Sequence, residues 1–344
     1  LENSSLRVIH NEELIHPFQP YNNIATANQI EYFETVFGIN SSISSSNQIW
    51  QWKELMTLIS MITAMIMLIP LSKTLLTFGV FKSLVKEIPK ALPRQNKNSK
   101  TIFWIIFFLG ALIACFSYIP MVDAAKYIFE DATNRRMTWF YPQRMNNSVM
   151  LWAVFNGIIG IILFTLSFQL FGKKHGVQSS SWGLKADSKY ILKTIILSLL
   201  VFTLYYSFLF LIYYIFHVDY RFWFMGVRVF QPEMLLVLAM YAPLFFIFFF
   251  SNSIRVNGAM RIEGQPEWKS MMIAGIANSL GLFLIILIQY ITFAKTGTVF
   301  WTTNWLSVNL LFAIVPMMFV LPYFNRYFFY MTGRVYLGPM VTTL

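Results

Sequence analysis

Seven apolar runs dominate the sequence and leave few folds open to it. They cover about 55–78, 101–121, 149–171, 191–216, 234–254, 271–294 and 304–330. A helix needs roughly 20 predominantly apolar residues to cross the hydrocarbon core of a bilayer, and each run reaches that length. Only 12% of the residues are charged, about half the share usual in soluble globular chains. Pro70, Pro243 and Pro316 fall inside runs, where membrane helices tolerate them as kinks. The expected fold class is an all-α polytopic membrane protein with about seven transmembrane helices. A short strand-loop-helix remnant of an α/β domain is expected ahead of them.

The net charge of +11 is compatible with nucleic acid, but in a membrane chain the position of each cation matters more. The loops after the first, third and fifth runs, with the chain end, hold sixteen of the Lys and Arg residues. The opposite loops and the N-terminal segment hold nine. Positively charged loops stay in the cytoplasm, so residues 1–49 are expected outside the cell and the C-terminal end inside. Trp50, Trp52, Trp139, Tyr141, Trp223 and Trp301 flank the outer ends and read as an interfacial belt.

Three segments are expected: 1–39, an extracellular piece; 40–49, a Ser/Asn-rich linker; and 50–344, the multi-span region. In the first, Leu6 and Val8 suggest a strand. His16, Pro17 and Pro20 lie in a loop. Ile24, Ala27, Ile30, Phe33 and Phe37 then recur at helical spacing, with Asn23 as N-cap and Gly38 past the C-terminus.

Polar residues inside the runs are few. Asn156, Asn278, Gln289 and Asn309 read as interhelical hydrogen-bonding groups or as substrate ligands. No Asp, Glu, Arg or His sits near the centre of a run, which argues against ion-coupled transport. The outer loop 122–148, with Asp123, Lys126, Arg135 and Arg136, and the segment 255–268, with Arg255 and Arg261, are the polar-rich connections. Cys115 is alone, in an apolar run. No phosphate loop and no metal-spaced Cys/His cluster occurs, so no cofactor and no metal are expected.

A strand, a His-bearing loop and a closing amphipathic helix is how an α/β-hydrolase domain ends, with its catalytic base on the loop. His16 fits that place better than His10; an ordinary surface-loop histidine is the alternative. His16-Pro17-Phe18, the helix from Ile24 to Gly38, and Asn47 to Glu54 leading into a span resemble bacterial membrane-bound α/β-hydrolases of the dienelactone-hydrolase type. Thr332 to Gly338 resembles the approach to the last span of such proteins. The resemblance implies the membrane-anchoring region of a cell-surface hydrolase acting on ester or thioester bonds. His16 would be the triad base. The serine, its elbow, the acid and the oxyanion donors would lie upstream of Leu1, leaving this chain catalytically incomplete. Its implied partners are the lipid bilayer, the missing N-terminal hydrolase domain and a small-molecule or lipid substrate, not nucleic acid. The rival reading is a transporter or permease-type membrane protein without hydrolase activity.

Overall fold

The computed structural model describes residues 7–14, 16–222 and 225–344; of residues 16 and 17 it describes the backbone alone. The fold is all-α and polytopic. Seven helices are long and apolar enough to span a membrane. We number the longer helices α1 (Asn23–Phe37), α2 (Trp50–Thr77), α3 (Lys97–Ile128), α4 (Arg144–Ser167), α5 (Ser188–Phe216), α6 (Met234–Ala259), α7 (Glu267–Thr296), α8 (Leu311–Thr332) and α9 (Leu337–Thr343). The spans are α2 to α8, with α4 prolonged to His175 and α8 preceded by a short helix from Trp305.

The chain divides into two compact units. One comprises residues 1–64 and 216–228, the other residues 65–215 and 229–344. In the first, residues 7–14 form no strand. An isolated strand leaves its amides and carbonyls unpaired. Among the described residues β1 (Tyr220–Phe222) and β2 (Met225–Val227) form a two-stranded antiparallel sheet with no further strand. Helix α1 forms where expected, but its N-cap is Asn22, not Asn23. Asn22 is extended, and its Oδ1 accepts from the amides of Ile24 and Ala25 at 2.9 and 3.0 Å. Asn23 is already helical; its Oδ1 accepts from Trp50 Nε1 and Gln51 Nε2 at 2.9 and 2.7 Å. Gly38 takes the left-handed conformation at the C-terminus, as expected. Ala25 alone on α1 is fully buried; Ile24, Phe33 and Phe37 stand open. The 40–49 stretch folds back on α1, where Ser45 Oγ donates to Glu31 Oε1 and Gln48 Nε2 to the Asn23 carbonyl.

The second unit is built like a membrane bundle, with apolar surface outside and polar groups within. Phe116 on α3 is 74% exposed, whereas Asn252, Asn257 and Gln289 are wholly buried. Helix α4 packs on α6 and α3, α7 packs on α8 and α3, and α9 tucks against α6 and α8. Tyr118, Trp152, Phe248, Leu282, Ile285 and Leu311 fill one core. Leu75, Leu197, Val201, Phe328 and Leu337 fill another. Without a hydrophobic drive between helices in lipid, close packing must supply the association. Gly281 shows how close: a Cβ there would lie 2.5 Å from the Ala111 carbonyl oxygen and 3.0 Å from the Cys115 amide nitrogen. Gly157 likewise abuts the Phe248 backbone. Gly281→Leu should therefore push α7 off α3 and cost about 1–3 kcal/mol or more. Thermal unfolding in detergent checks this, and an unchanged midpoint would contradict the contact.

Candidate functional site

The site lies within the second unit, where α3, α4, α6 and α7 leave a cavity of about 350 Å3. That volume is at the lower end of the roughly 300–1,000 Å3 typical of small-molecule sites. Its walls are aromatic and aliphatic: Ile102, Phe103, Ile106 and Phe107 on α3, Ile159, Leu163 and Phe164 on α4, and Phe248 on α6. The last turns of the α4 span, Phe168–Gly172, wind wider into a π-helical turn. This brings Phe168, Phe171 and Gly172 to the cavity. Such turns often mark functional sites. Residues 92–96, His175, Val177 and Trp182 line the chamber at the loop end. Two glycines keep it open. Gly110 faces nothing within 4 Å of where its Cβ would be, and Gly160 lets the α6 side chains approach α4.

The polar lining includes Asn156, Asn278 and Arg255, with Arg94, Gln95, Asn96, Ser99, Ser167 and His175 toward the loops. Asn156 Nδ2 donates to Ser117 Oγ at 3.0 Å, so it does tie α4 to α3. Asn278 sits in a chain of amides: Asn325 Nδ2 donates to Asn252 Oδ1, and Asn252 Nδ2 to Asn278 Oδ1, both at 2.7 Å. Asn278 Nδ2 donates to the Met318 carbonyl, and Arg255 Nη2 to Asn278 Oδ1 at 3.2 Å. The other two polar residues read from the runs lie elsewhere. Gln289 Oε1 accepts from the Trp301 amide, and Asn309 Oδ1 accepts from the Tyr290 hydroxyl. The chamber joins residues from four helices, and Asn156 and Asn278 prove to be both glue and lining.

Three guanidinium groups gather at this end of the bundle, and their partners differ. Arg326 on α8 is buried, holds Glu267 at 2.8 and 3.0 Å, and donates to Asn257 Oδ1 and the Val256 carbonyl. Arg261, just beyond α6, stitches loops together. Its donors reach the carbonyls of Pro89 (2.6 Å), Lys90 (3.2 Å), Ser181 (2.7 Å) and Asn257 (3.0 Å), and its plane covers the Phe329 ring. Burial and then Arg326 draw its pKa down to about 10, so it stays cationic at neutral pH. Arg255 has neither kind of support. Among the described residues it forms no ion pair, and its Nε is sealed from solvent with no acceptor.

By sequence Arg255 reads as the start of a loop, because the fifth apolar run ends at 254. The helix nevertheless continues to Ala259. Helical backbone pairing does not stop where apolar side chains stop, so Ser251, Asn252, Arg255 and Asn257 are carried inside the bundle. Asp123 and Lys126 are likewise not loop residues: α3 runs to Ile128, and Lys126 Nζ bonds Asp123 Oδ1 and Asn304 Oδ1, both at 2.7 Å. The backbone of His16 opens a short 3-10 helix, His16–Tyr21, and its side chain lies outside the described residues, as does Trp223. His10 lies in the exposed 7–14 segment.

The chain matches no family model, no curated protein and no solved structure. The reading therefore rests on the geometry. Arg261→Lys should cost about 2–3 kcal/mol, because one ammonium cannot reach four carbonyls that a planar fork reaches together. A lowered unfolding midpoint with unchanged helix content would show it; a wild-type midpoint would contradict the stitching role.

Proposed function

We propose that this chain is a polytopic cell-membrane protein whose helix bundle binds an amphipathic small molecule, in the manner of a transporter or permease rather than a bare anchor. The chamber between α3, α4, α6 and α7 carries this reading. Apolar walls interrupted by a few polar groups match a molecule that has a tail and a head. Tethering a domain requires no such chamber. The placement follows the loop charges. Arg255, Arg261 and Arg326 turn out to be enclosed by the bundle, which leaves thirteen loop and helix-end cations on one side against nine on the other. The bias still puts the N-terminal segment outside, and with it puts the 92–96 end of the chamber toward the cytoplasm.

The tethered-hydrolase reading rests on the sequence resemblance and stands beside this one. His16→Ala in the full-length protein is expected to abolish esterase activity at normal expression. Retained activity would remove His16 as the base and direct attention to His10.

Two measurements test the membrane reading. A maleimide that does not cross membranes should fail to label a cysteine placed at Ser83 in intact cells; ready labelling would reverse the orientation. For the chamber, brominated dodecanol should quench a saturable part of the tryptophan fluorescence in phosphatidylcholine nanodiscs, since Trp152 and Trp182 line the cavity. Gly110→Phe should remove that component by filling open space. Quenching unaffected by Gly110→Phe would contradict the chamber.

A further inference from the structure

We infer that the chamber takes a single-chain anionic amphiphile, whose charged head is held by Arg255 and whose tail lies along the aromatic wall of α3 and α4. This rests on the chamber reading above and adds the charge of the occupant.

Arg255 carries the inference because it is an unmatched cation. A guanidinium has five N–H donors and no acceptor, and it stays charged in proteins. Withdrawing it from water is costly unless a counter-charge or a full set of acceptors compensates. Arg326 has the Glu267 carboxylate, and Arg261 has four carbonyls. Arg255 has one side-chain amide oxygen at 3.2 Å and an Nε without any acceptor. Charged residues within a span commonly mark the path or site of a substrate.

The surroundings deepen the mismatch. Ser251, one turn earlier on α6, has a buried Oγ that also lacks a partner. Both groups face Gly160: a Cβ there would stand 2.5 Å from Ser251 Oγ and 3.5 Å from Arg255 Nε. The Arg255 guanidinium and the Asn278 amide thus line the cavity among the helices, with the Ser251 hydroxyl beside them behind Gly160, apart from the polar loop residues Arg94, Gln95 and Asn96. That donor set suits a carboxylate or a phosphate monoester, which a guanidinium binds through charge-assisted hydrogen bonds. Tail contacts fall to Phe103, Phe107, Leu163 and Phe164. A polyanion such as a nucleotide would meet two guanidinium groups here, Arg255 among the helices and Arg94 toward the loops, and a neutral amphiphile would leave Arg255 uncompensated.

The test uses the full chain in phosphatidylcholine nanodiscs, with brominated dodecanoate and brominated dodecanol as quenchers of Trp152 and Trp182. Dodecanoate is expected to bind about tenfold or more tightly than the alcohol, as one charge-assisted contact implies. Arg255→Gln should erase that gap, and Arg255→Lys should keep part of it. Ser251→Asp supplies an internal carboxylate one turn from Arg255; it should also erase the preference, which keeps the test open if Arg255→Gln does not fold. Equal binding of acid and alcohol to the wild type, or a preference that survives both Arg255→Gln and Ser251→Asp, overturns the inference. Loss of all saturable quenching in the wild type would instead overturn the chamber reading itself. Adding phosphatidylglycerol to the discs separates two sources of such an anion. Displacement of dodecanoate assigns the site to an anionic lipid headgroup; unchanged binding assigns it to a free amphiphile; either supports an anion site.

Discussion

A polar group enclosed among membrane helices must find its partner inside the protein, and that constraint organises the end of this bundle where α6, α7 and α8 meet. Water is not there to complete an unfinished hydrogen bond. Asn252, Asn257, Asn278 and Asn325 answer the requirement by bonding one another and the backbones of neighbouring helices. Arg326 and Arg261 extend the same network to Glu267 and to the loops that close the bundle. The 86–94 segment is pinned through that network, by Arg261 on the carbonyls of Pro89 and Lys90.

That network is not complete: among the described residues Asn325 Oδ1 and Gln289 Nε2 lack partners away from the chamber, and Arg255 Nε lacks one at it. The unused polar atoms Arg255 Nε and Ser251 Oγ flank the same glycine, Gly160, which with Arg255 lines the chamber. A protein that lodges groups of this kind in its interior meets a stability cost unless something else completes them. The α4 helix widens at Phe168–Gly172 on the same chamber, and α3 presents Gly110 without any neighbour to fill the space. Three separate departures from tight packing thus fall on one volume. Their coincidence is the physical ground for treating the bundle as a binding unit.

Much of the scaffold could be read from residues alone. The seven runs became seven spanning helices, because twenty uncharged residues in a row admit little else, and the helix from Asn23 to Phe37 followed from its apolar spacing and from Gly38. The strand near Val8 did not form: periodicity proposes a strand, but only a neighbouring strand can satisfy it. Hydropathy locates the ends of runs, not the ends of helices, so by sequence Arg255 and Asp123 read as loop residues although their helices run to Ala259 and Ile128. The chamber itself had no linear signature, since it draws on helices separated by as much as 180 residues of chain. A polar stretch such as Ser251 to Gly258, with Ser251 and Arg255, and Ser253 and Asn257, each four apart at the end of an apolar run, is the available clue. It marks a helix end that a bundle has enclosed.

The most direct test of the account places a single reactive thiol in the chamber, as Gly110→Cys in a Cys115→Ala background, and compares two sulfonate- or ammonium-bearing methanethiosulfonates. Rates are taken relative to those with a free thiol in solution. The anionic reagent is expected to react faster than the cationic one, from the side bearing the 92–96 segment, and to lose that advantage when Arg255 is also replaced by Gln. A thiol unreactive toward both reagents, or one that favours the cation, would contradict an accessible chamber governed by an uncompensated guanidinium.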